Sequence, residues 1–128
     1  MTRVLLIEDN EYNMDSLSRF LRRRNFDVLE ARNAENGIFT AQKEQPDLIL
    51  MDIGLPDMDG YHATQLIKAN PKTAAIPVIA LTAHAYTRDR EQALEAGCAD
   101  FHAKPIDPVG LVETIRKHTS DSEECEIP

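Results

Sequence analysis

Short apolar runs alternate with longer amphipathic segments along the chain. The apolar runs predict five strands, at Val4–Ile7, Phe26–Leu29, Asp47–Met51, Ile76–Leu81 and Asp100–Ala103. Between the runs, apolar residues recur at helical spacing, as Met14, Leu17 and Leu21 do after the first one. Strands that alternate with helices in this way predict an α/β domain with a parallel sheet and right-handed crossovers.

Residues typical of helix ends support the predicted helices. Asn33 and Asp59 are predicted to cap the second and third helices, and Asp107 followed by proline predicts the start of the fifth. Asn70, which also precedes a proline, predicts the end of the third helix, and Gly97 the end of the fourth. The sequence therefore predicts five helices with defined limits.

Length and charge narrow the function classes. The chain has 128 residues, which is typical of one domain, and a formal net charge of −8. A nucleic-acid partner is not expected, because a basic footprint is missing. The basic run Arg22–Arg24 is interpreted as favourable interaction with a helix C-terminus. No apolar run is long enough to cross a membrane and no signal peptide is recognisable, so a cytoplasmic location without membrane contact is expected.

The last ten residues differ from the rest. Residues 1–118 are predicted to form the folded domain, and 119–128 an acidic tail without periodicity. The tail is interpreted as a solvated terminus, although a role in partner docking stays open. Cys98 and Cys125 are interpreted as reduced thiols, because two cysteines make no disulfide framework and no histidine shows metal-ligand spacing with them.

Four of the five predicted strands end in a charged or reactive side chain. The first is followed by Glu8 and Asp9, the third by Asp52, the fourth by Thr82 and the fifth by Lys104. A flavodoxin-like strand order, 2-1-3-4-5, places these ends side by side at one edge of the sheet. Neighbouring strands lie about 4.8 Å apart, so the carboxylates would repel each other unless a cation or a proton lies between them.

A magnesium ion fits these ligands best, because it prefers oxygen ligands and takes one or two carboxylates together with a phosphate. Asp52 is then the candidate nucleophile toward phosphorus, with Thr82 and Lys104 placed to bind phosphoryl oxygens. The acidic stretch after the first strand argues against a flavin or nucleotide phosphate at the same place. Taken singly, Asn10 or Asp9 would be read as a helix cap and Lys104 as a solvated lysine; their joint placement favours the site.

The sequence resembles the receiver domain of two-component response regulators from about Thr2 to Lys117. The resemblance rests on five motifs, Val4–Asn10, Pro46–Asp52, Leu55–Gly60, Ala80–Ala85 and Lys104–Pro105. Among receivers, it is most similar to stand-alone receivers of the cell-division type and to receivers of hybrid kinases. It implies a flavodoxin-like (βα)5 fold and a protein that is not an enzyme toward other substrates.

The resemblance assigns roles at the site. Asp52 matches the phosphoacceptor. Asp9, Asp52 and the backbone carbonyl of Gly54 match direct Mg²⁺ ligands, and Glu8 matches a ligand acting through water. Thr82 and Lys104 match the switch hydroxyl and the phosphate-binding lysine.

Further positions follow from the same resemblance. Phe101 matches an aromatic rotamer switch, and the family usually has a cis peptide bond before the position of Pro105. Gly54 and His84 match positions that tune the phosphate lifetime. The first helix and the loop 105–107 match the surface for the phosphodonor, a histidine kinase or a histidine phosphotransfer protein. A downstream protein target is expected at the face formed by the fourth helix, fifth strand and fifth helix.

The sequence therefore predicts a single-domain response regulator that is phosphorylated on Asp52 with Mg²⁺ and signals by protein contacts. One alternative is a phosphorelay receiver that belongs to a hybrid histidine kinase. A distant alternative is a haloacid-dehalogenase-like phosphatase, because Asp57 and Asp59 have the spacing of its Asp-x-Asp motif. That motif should end a strand, however, and Asp57 follows a proline instead.

Overall fold

The computed structural model describes residues 2–83 and 87–119, and the side chains at positions 87–89 are not described. The strands are β1 Arg3–Ile7, β2 Asp27–Ala31, β3 Leu48–Asp52, β4 Val78–Thr82 and β5 Asp100–Ala103. The helices are α1 Glu11–Arg23, α2 Ala34–Glu44, α3 Gly60–Ala69, α4 Thr87–Ala96 and α5 Pro108–Lys117. Over the described ranges, every helix is too short or too polar to cross a bilayer.

The strands form one parallel sheet in the order β2-β1-β3-β4-β5, which confirms the predicted flavodoxin-like fold. Strands β3 and β4 are buried along their whole length, because helices cover both faces of the sheet. Side chains alternate between two apolar clusters: Leu5 and Ile7 point to one face, and Val4 and Leu6 to the other. The sheet therefore forms a rigid platform with its strand ends at two opposite edges.

The predicted caps are present at the helix termini. The side chains of Asn33 and Asp59 accept hydrogen bonds from backbone N–H groups at the starts of α2 and α3. Asp107 precedes α5, but its side chain makes no capping bond there. Helix α4 is followed by Gly97, whose φ of 106° favours glycine.

The starts of three strands were predicted one or two residues too early. The third strand was predicted from Asp47 and begins at Leu48. The second strand was predicted at Phe26–Leu29 and lies at Asp27–Ala31. Phe26 is only 3% exposed, but it packs into the core from the turn after α1. The fourth strand begins at Val78 rather than Ile76, because Ile76 is buried from the loop that contains Pro77. Prediction from hydrophobic residues alone therefore placed the starts of β2 and β4 too early.

Two sequence predictions fall on positions outside the described ranges. His84 is one of them, and the tail from residue 120 onward is the other. Helix α5 ends at Lys117, next to the predicted domain limit at residue 118.

Candidate functional site

The carboxyl ends of β1, β3, β4 and β5 surround one open cleft of about 460 Å³. Its lining includes every polar side chain that the strand ends were predicted to contribute: Glu8, Asp9, Asp52, Thr82 and Lys104. These residues come from distant parts of the chain, and the strand order brings them to one edge. The juxtaposition of these side chains is thus a direct consequence of the fold.

Three carboxylates form the acidic part of the cleft. Oxygen atoms of Glu8, Asp9 and Asp52 all lie within 4.8 Å of one another. Glu8 is 1% and Asp52 4% exposed, whereas Asp9 is open to solvent. A purely oxygen donor set with one solvent-facing member fits a hard divalent cation that keeps part of its water shell.

Lys104 provides the positive charge at the cleft. Its Nζ lies 3.1 Å from Asp52 Oδ1 and 3.4 Å from Glu8 Oε2. Burial of the ammonium disfavours its charged form, but the attraction of Asp52 and then of Glu8 outweighs burial and raises the pKa of Lys104. One lysine therefore serves two buried carboxylates.

Glu8 is buried beside another carboxylate, which disfavours its charged form. Burial, and next the negative charge of Asp52, raise the pKa of Glu8 above 4.5, although the N–H of Asn10 and the charge of Lys104 oppose the change. The Asn10 N–H donates to Glu8 Oε1 at 3.2 Å. The cleft is electrostatically under-compensated, and a bound cation would relieve it.

The loop after β3 holds the phosphoacceptor candidate from the other side. The Gly54 N–H donates to Asp52 Oδ1 at 3.2 Å, so the turn fixes that carboxylate. Among the described residues not adjacent to it in the chain, a Cβ placed on Gly54 would meet Asp52 Oδ1 at 4.0 Å, so a side chain there would lie beside the Asp52 carboxylate.

Gly60 lets helix α3 approach the backbone of Asp52 and Ile53. A Cβ at this position would lie 2.6 Å from Ile53 Cα and 2.8 Å from the carbonyl oxygen of Asp52. The Gly60 N–H donates to the Ile53 carbonyl at 3.0 Å, which closes the loop. Sequence reasoning included Gly60 in a motif but missed this role, since only the fold shows what lies against it.

Asp57 and Asp59 are occupied at helix N-termini. Asp57 accepts from the N–H groups of Ala34 at 2.9 Å and Glu35 at 3.0 Å, at the start of α2. Asp59 accepts from the N–H of Tyr61 at 2.8 Å. Neither carboxylate lines the cleft, so the geometry gives no support to a phosphatase that uses this pair.

Three further predicted residues surround Lys104. Thr82 is buried at the end of β4, and its carbonyl accepts from the Lys104 N–H at 2.6 Å. Phe101 is partly buried and packs against the cluster that contains Leu5. The Lys104–Pro105 peptide bond is cis, as the resemblance implied.

Comparison with known proteins gives the family. The family model for the response regulator receiver domain matches residues 4–116. The chain belongs to the response regulator receiver domain family. The match includes the strand ends that line the cleft.

Characterised relatives of this receiver are of similar length. It is 35% identical over 119 residues to the polar-differentiation response regulator DivK of Brucella anthropi, covering 93% of this chain and 97% of that protein. It is also 35% identical over 115 residues to protein PilH of Pseudomonas aeruginosa, covering 90% of this chain and 95% of that protein.

Solved structures agree. The receiver domain of sensor histidine kinase PA1611 from Pseudomonas aeruginosa, which has a magnesium ion coordinated in its active-site cleft, is 36% identical with a TM-score of 0.84. That comparison covers 91% of this chain and 95% of the PA1611 chain. A response regulator from Chloroflexus aurantiacus is 28% identical with a TM-score of 0.87, over 91% of this chain and 96% of the other.

Proposed function

We propose that this receiver accepts a phosphoryl group on Asp52 from a phosphohistidine of a histidine kinase or phosphotransfer protein, and that the reaction requires Mg²⁺. The observation that carries the proposal is the meeting of buried Asp52 with Glu8, Asp9 and Lys104 in one open cleft. A buried carboxylate beside two others is unfavourable unless charge is supplied to it. A bound Mg²⁺ would supply that charge and would also bind the incoming phosphoryl group.

The residues that would hold the metal are Asp9 and Asp52 directly, the Gly54 carbonyl, and Glu8 through water. When bound, Mg²⁺ neutralises charge on the transferring phosphoryl group. A carboxylate oxygen of Asp52 attacks phosphorus, and the P–N bond to the donor histidine breaks. The bonding electron pair leaves with the imidazole. The chain's own contribution is positioning and electrostatic stabilisation, and it turns over no separate substrate.

Lys104 and Thr82 would bind the new phosphoryl oxygens. Lys104 already pairs with Asp52, so it needs only to move its ammonium from a carboxylate oxygen to a phosphoryl oxygen. The hydroxyl of Thr82, at the end of the next strand, donates to another. Position 54 lies beside Asp52, so Gly54 would tune the lifetime of the product, and the resemblance assigns the same role to His84.

The message to partners would be a change in geometry. A phosphoryl group adds at most about one charge to a site that already carried the charge of Asp52. Movement of Thr82 toward the phosphoryl group would open space that Phe101 can enter. Such a change alters the face formed by α4, β5 and α5, where a downstream protein binds; Leu94 of α4 is 51% exposed there. Couplings of this kind are worth about 1–3 kcal/mol.

The phosphodonor would approach along α1 and the loop 105–107. A groove of about 440 Å³ joins these elements, and its lining includes Leu17 and Ile106 as well as Glu8 and Lys104. Donor residues in this groove would lie directly beside the proposed phosphorylation site. The groove therefore supports a protein phosphodonor.

A second candidate is a phosphorelay receiver module of a hybrid histidine kinase, which the 36% identity to the PA1611 receiver favours. The 35% identities to DivK and PilH, of which this chain covers 97% and 95%, favour a regulator of their kind instead. Both candidates share the chemistry at Asp52. A profile of phosphotransfer from the histidine kinases and phosphotransfer proteins of the same cell separates them by the donor that reacts fastest.

The chemistry is tested with acetyl phosphate as a small phosphodonor, with Mg²⁺ or with EDTA. We expect incorporation of one phosphoryl group per chain only with Mg²⁺, and none in Asp52→Asn. The matched control is Asp47→Asn, since Asp47 lies just before the opposite end of the same strand and should label normally. Labelling of Asp52→Asn at the rate of the unmodified chain would overturn the proposal.

A further inference from the structure

A basic cluster lies at the edge of the molecule opposite the acidic cleft. It consists of Arg23 and Arg24 at the end of α1 and Arg116 in the last turn of α5. The two helices contact each other, and both run back from the cleft toward the amino ends of the strands. The cluster is therefore built from two separate parts of the chain that the fold brings together.

Aromatic rings hold two of the three guanidinium groups. Arg24 Cζ lies 4.8 Å above the ring centre of Phe20, and Arg116 Cζ lies 5.9 Å from that of Phe26. Phe26 directly follows the α1 terminus, so Arg116 of α5 is stacked beside the basic end of α1. The stacking leaves the edges of each guanidinium group available as hydrogen-bond donors.

The cluster lacks a counter-charge in the part of the chain that the structure describes. Neighbouring Arg22 pairs with Glu30 at 3.1 Å, and Arg19 pairs with Asp15 at 3.0 Å. Among the side chains that the structure describes, by contrast, no carboxylate forms an ion pair with Arg23, Arg24 or Arg116. Three uncompensated arginines on a chain with a net charge of −8 are a binding surface for an acidic ligand.

The chain itself contains an acidic segment that begins beside this cluster. Residues 120–128 read SDSEECEIP and contain four acidic side chains and no basic one. Thr119, the last described residue, follows α5 directly. Glu123 and Glu124 are four and five residues further, an extended reach of about 13–18 Å. Packed helices lie about 8–10 Å apart, so these acids can reach the end of α1.

We propose that the acidic segment 120–128 binds the basic cluster of Arg23, Arg24 and Arg116 within the same molecule. Covalent connection gives the segment an effective concentration in the millimolar range, which an acidic partner in solution would have to exceed. Arg23 and Phe20 also line an open groove of about 380 Å³ along α1, which provides room for the segment beside the guanidinium groups.

The test uses the thiol of Cys125, which lies in the segment, as the attachment point for a nitroxide spin label. The other cysteine, Cys98, is 5% exposed, and a Cys125→Ser chain that takes up no label verifies selective attachment. Backbone amide signals are recorded by NMR on the full chain with the label in its paramagnetic and reduced forms. We expect at least about a twofold intensity loss at residues 22–26 at 10 mM salt, and recovery at 1 M salt, where the Debye length falls to about 3 Å.

Charge variants separate binding from mere proximity. Arg23→Glu with Arg24→Glu should abolish the intensity loss at the end of α1, whereas Lys43→Glu, an exposed cation at the end of α2, should leave it unchanged. Replacing the four acids of the segment by their amides leaves the folded domain untouched and should have the same effect as the arginine variants.

Two results would overturn the proposal. One is an intensity loss that is absent at residues 22–26, or that persists in high salt and in the amide variant. The other is an equal loss when spin-labelled chains without isotope are mixed with isotope-labelled chains that carry no spin label, because the occupant would then be a second copy. Neither result depends on phosphorylation, so a failure here is distinct from a failure of the proposed function.

Discussion

The two edges of the sheet use charged residues in opposite ways. At the amino edge, Arg3 binds Glu44 at 3.0 Å and approaches Asp27 at 3.6 Å, and these side chains are between 34% and 53% exposed. At the carboxyl edge, Glu8 and Asp52 are almost completely buried and share Lys104. The first arrangement is a solvated ion-pair network, which contributes little to stability.

The carboxyl edge has an excess of buried negative charge that the solvated ion pairs of the amino edge do not have. Three acids face one lysine at the carboxyl edge, and two of the acids have lost most of their water. Such an excess is destabilising until a cation or a proton arrives. The carboxyl edge is therefore the part of the molecule where stability and ligand binding should be coupled, whereas the amino edge should respond to neither.

Removal of the lysine should separate the two edges most clearly. Lys104→Met leaves Glu8 and Asp52 buried without their cation, and we expect the free energy of unfolding without metal to fall by about 2 kcal/mol. Arg3→Met at the amino edge should cost about 1 kcal/mol or less. Urea unfolding of both variants measures the difference, and equal costs would remove the contrast between the edges.

Magnesium should stabilise the carboxyl edge alone. At ten times its dissociation constant, Mg²⁺ should raise the free energy of unfolding by about 1.4 kcal/mol through binding to the folded state. Asp9→Asn should lose most of this gain, because it removes a solvent-facing ligand from the acidic cleft. Asp47→Asn at the amino edge should keep the gain. Thermal unfolding with and without Mg²⁺ measures this gain. If Asp9→Asn is stabilised by Mg²⁺ as much as the unmodified chain, the ion binds elsewhere.

Asp57 also lies near the carboxyl edge, but it stabilises the start of α2 and does not line the cleft. The Ala34 N–H has the largest effect and lowers the pKa of Asp57 below 3.8, burial opposes this change, and the Glu35 N–H lowers the pKa further. A lowered pKa means stability that is present above the unfolded-state value and is lost as the pH falls through the folded-state value. Asp57→Asn should cost about 1 kcal/mol at neutral pH.

The pH dependence checks this assignment. The difference between Asp57→Asn and the unmodified chain in urea unfolding should begin to shrink below about pH 3.8, where the aspartate of the unfolded chain takes up a proton. It should disappear once the pH falls below the lowered pKa of Asp57 in the folded state. The control is Asp15→Asn, in an exposed pair on α1, which should change stability by no more than about 0.5 kcal/mol. A constant difference down to pH 2.5 would show that the charge of Asp57 is not what stabilises α2.

The strand order and the cleft could be predicted because their signals are local. Each strand end carries its own polar residue, and one topological rule brings Glu8, Asp52 and Lys104 together. The buried run of β3 was readable because a strand covered on both faces is apolar throughout.

The features that the sequence did not reveal depend on long-range contacts. Asp57 caps a helix that begins 23 residues earlier, and no spacing rule connects it with Ala34. The tight approach of Gly60 to Ile53 depends on how α3 packs against the end of β3. Strand β2 was misplaced because an edge strand containing Asp27 and Glu30 has a weaker apolar signal than Phe26 beside it.

The most direct test of the central claim is to locate the phosphoryl group on the chain. After reaction with acetyl phosphate and Mg²⁺, borohydride reduces an aspartyl phosphate to homoserine, which peptide mass spectrometry assigns to a position. We expect homoserine at position 52 in place of Asp52, and only when Mg²⁺ was present. Homoserine at position 9 or 57, with Asp52 intact, would contradict it.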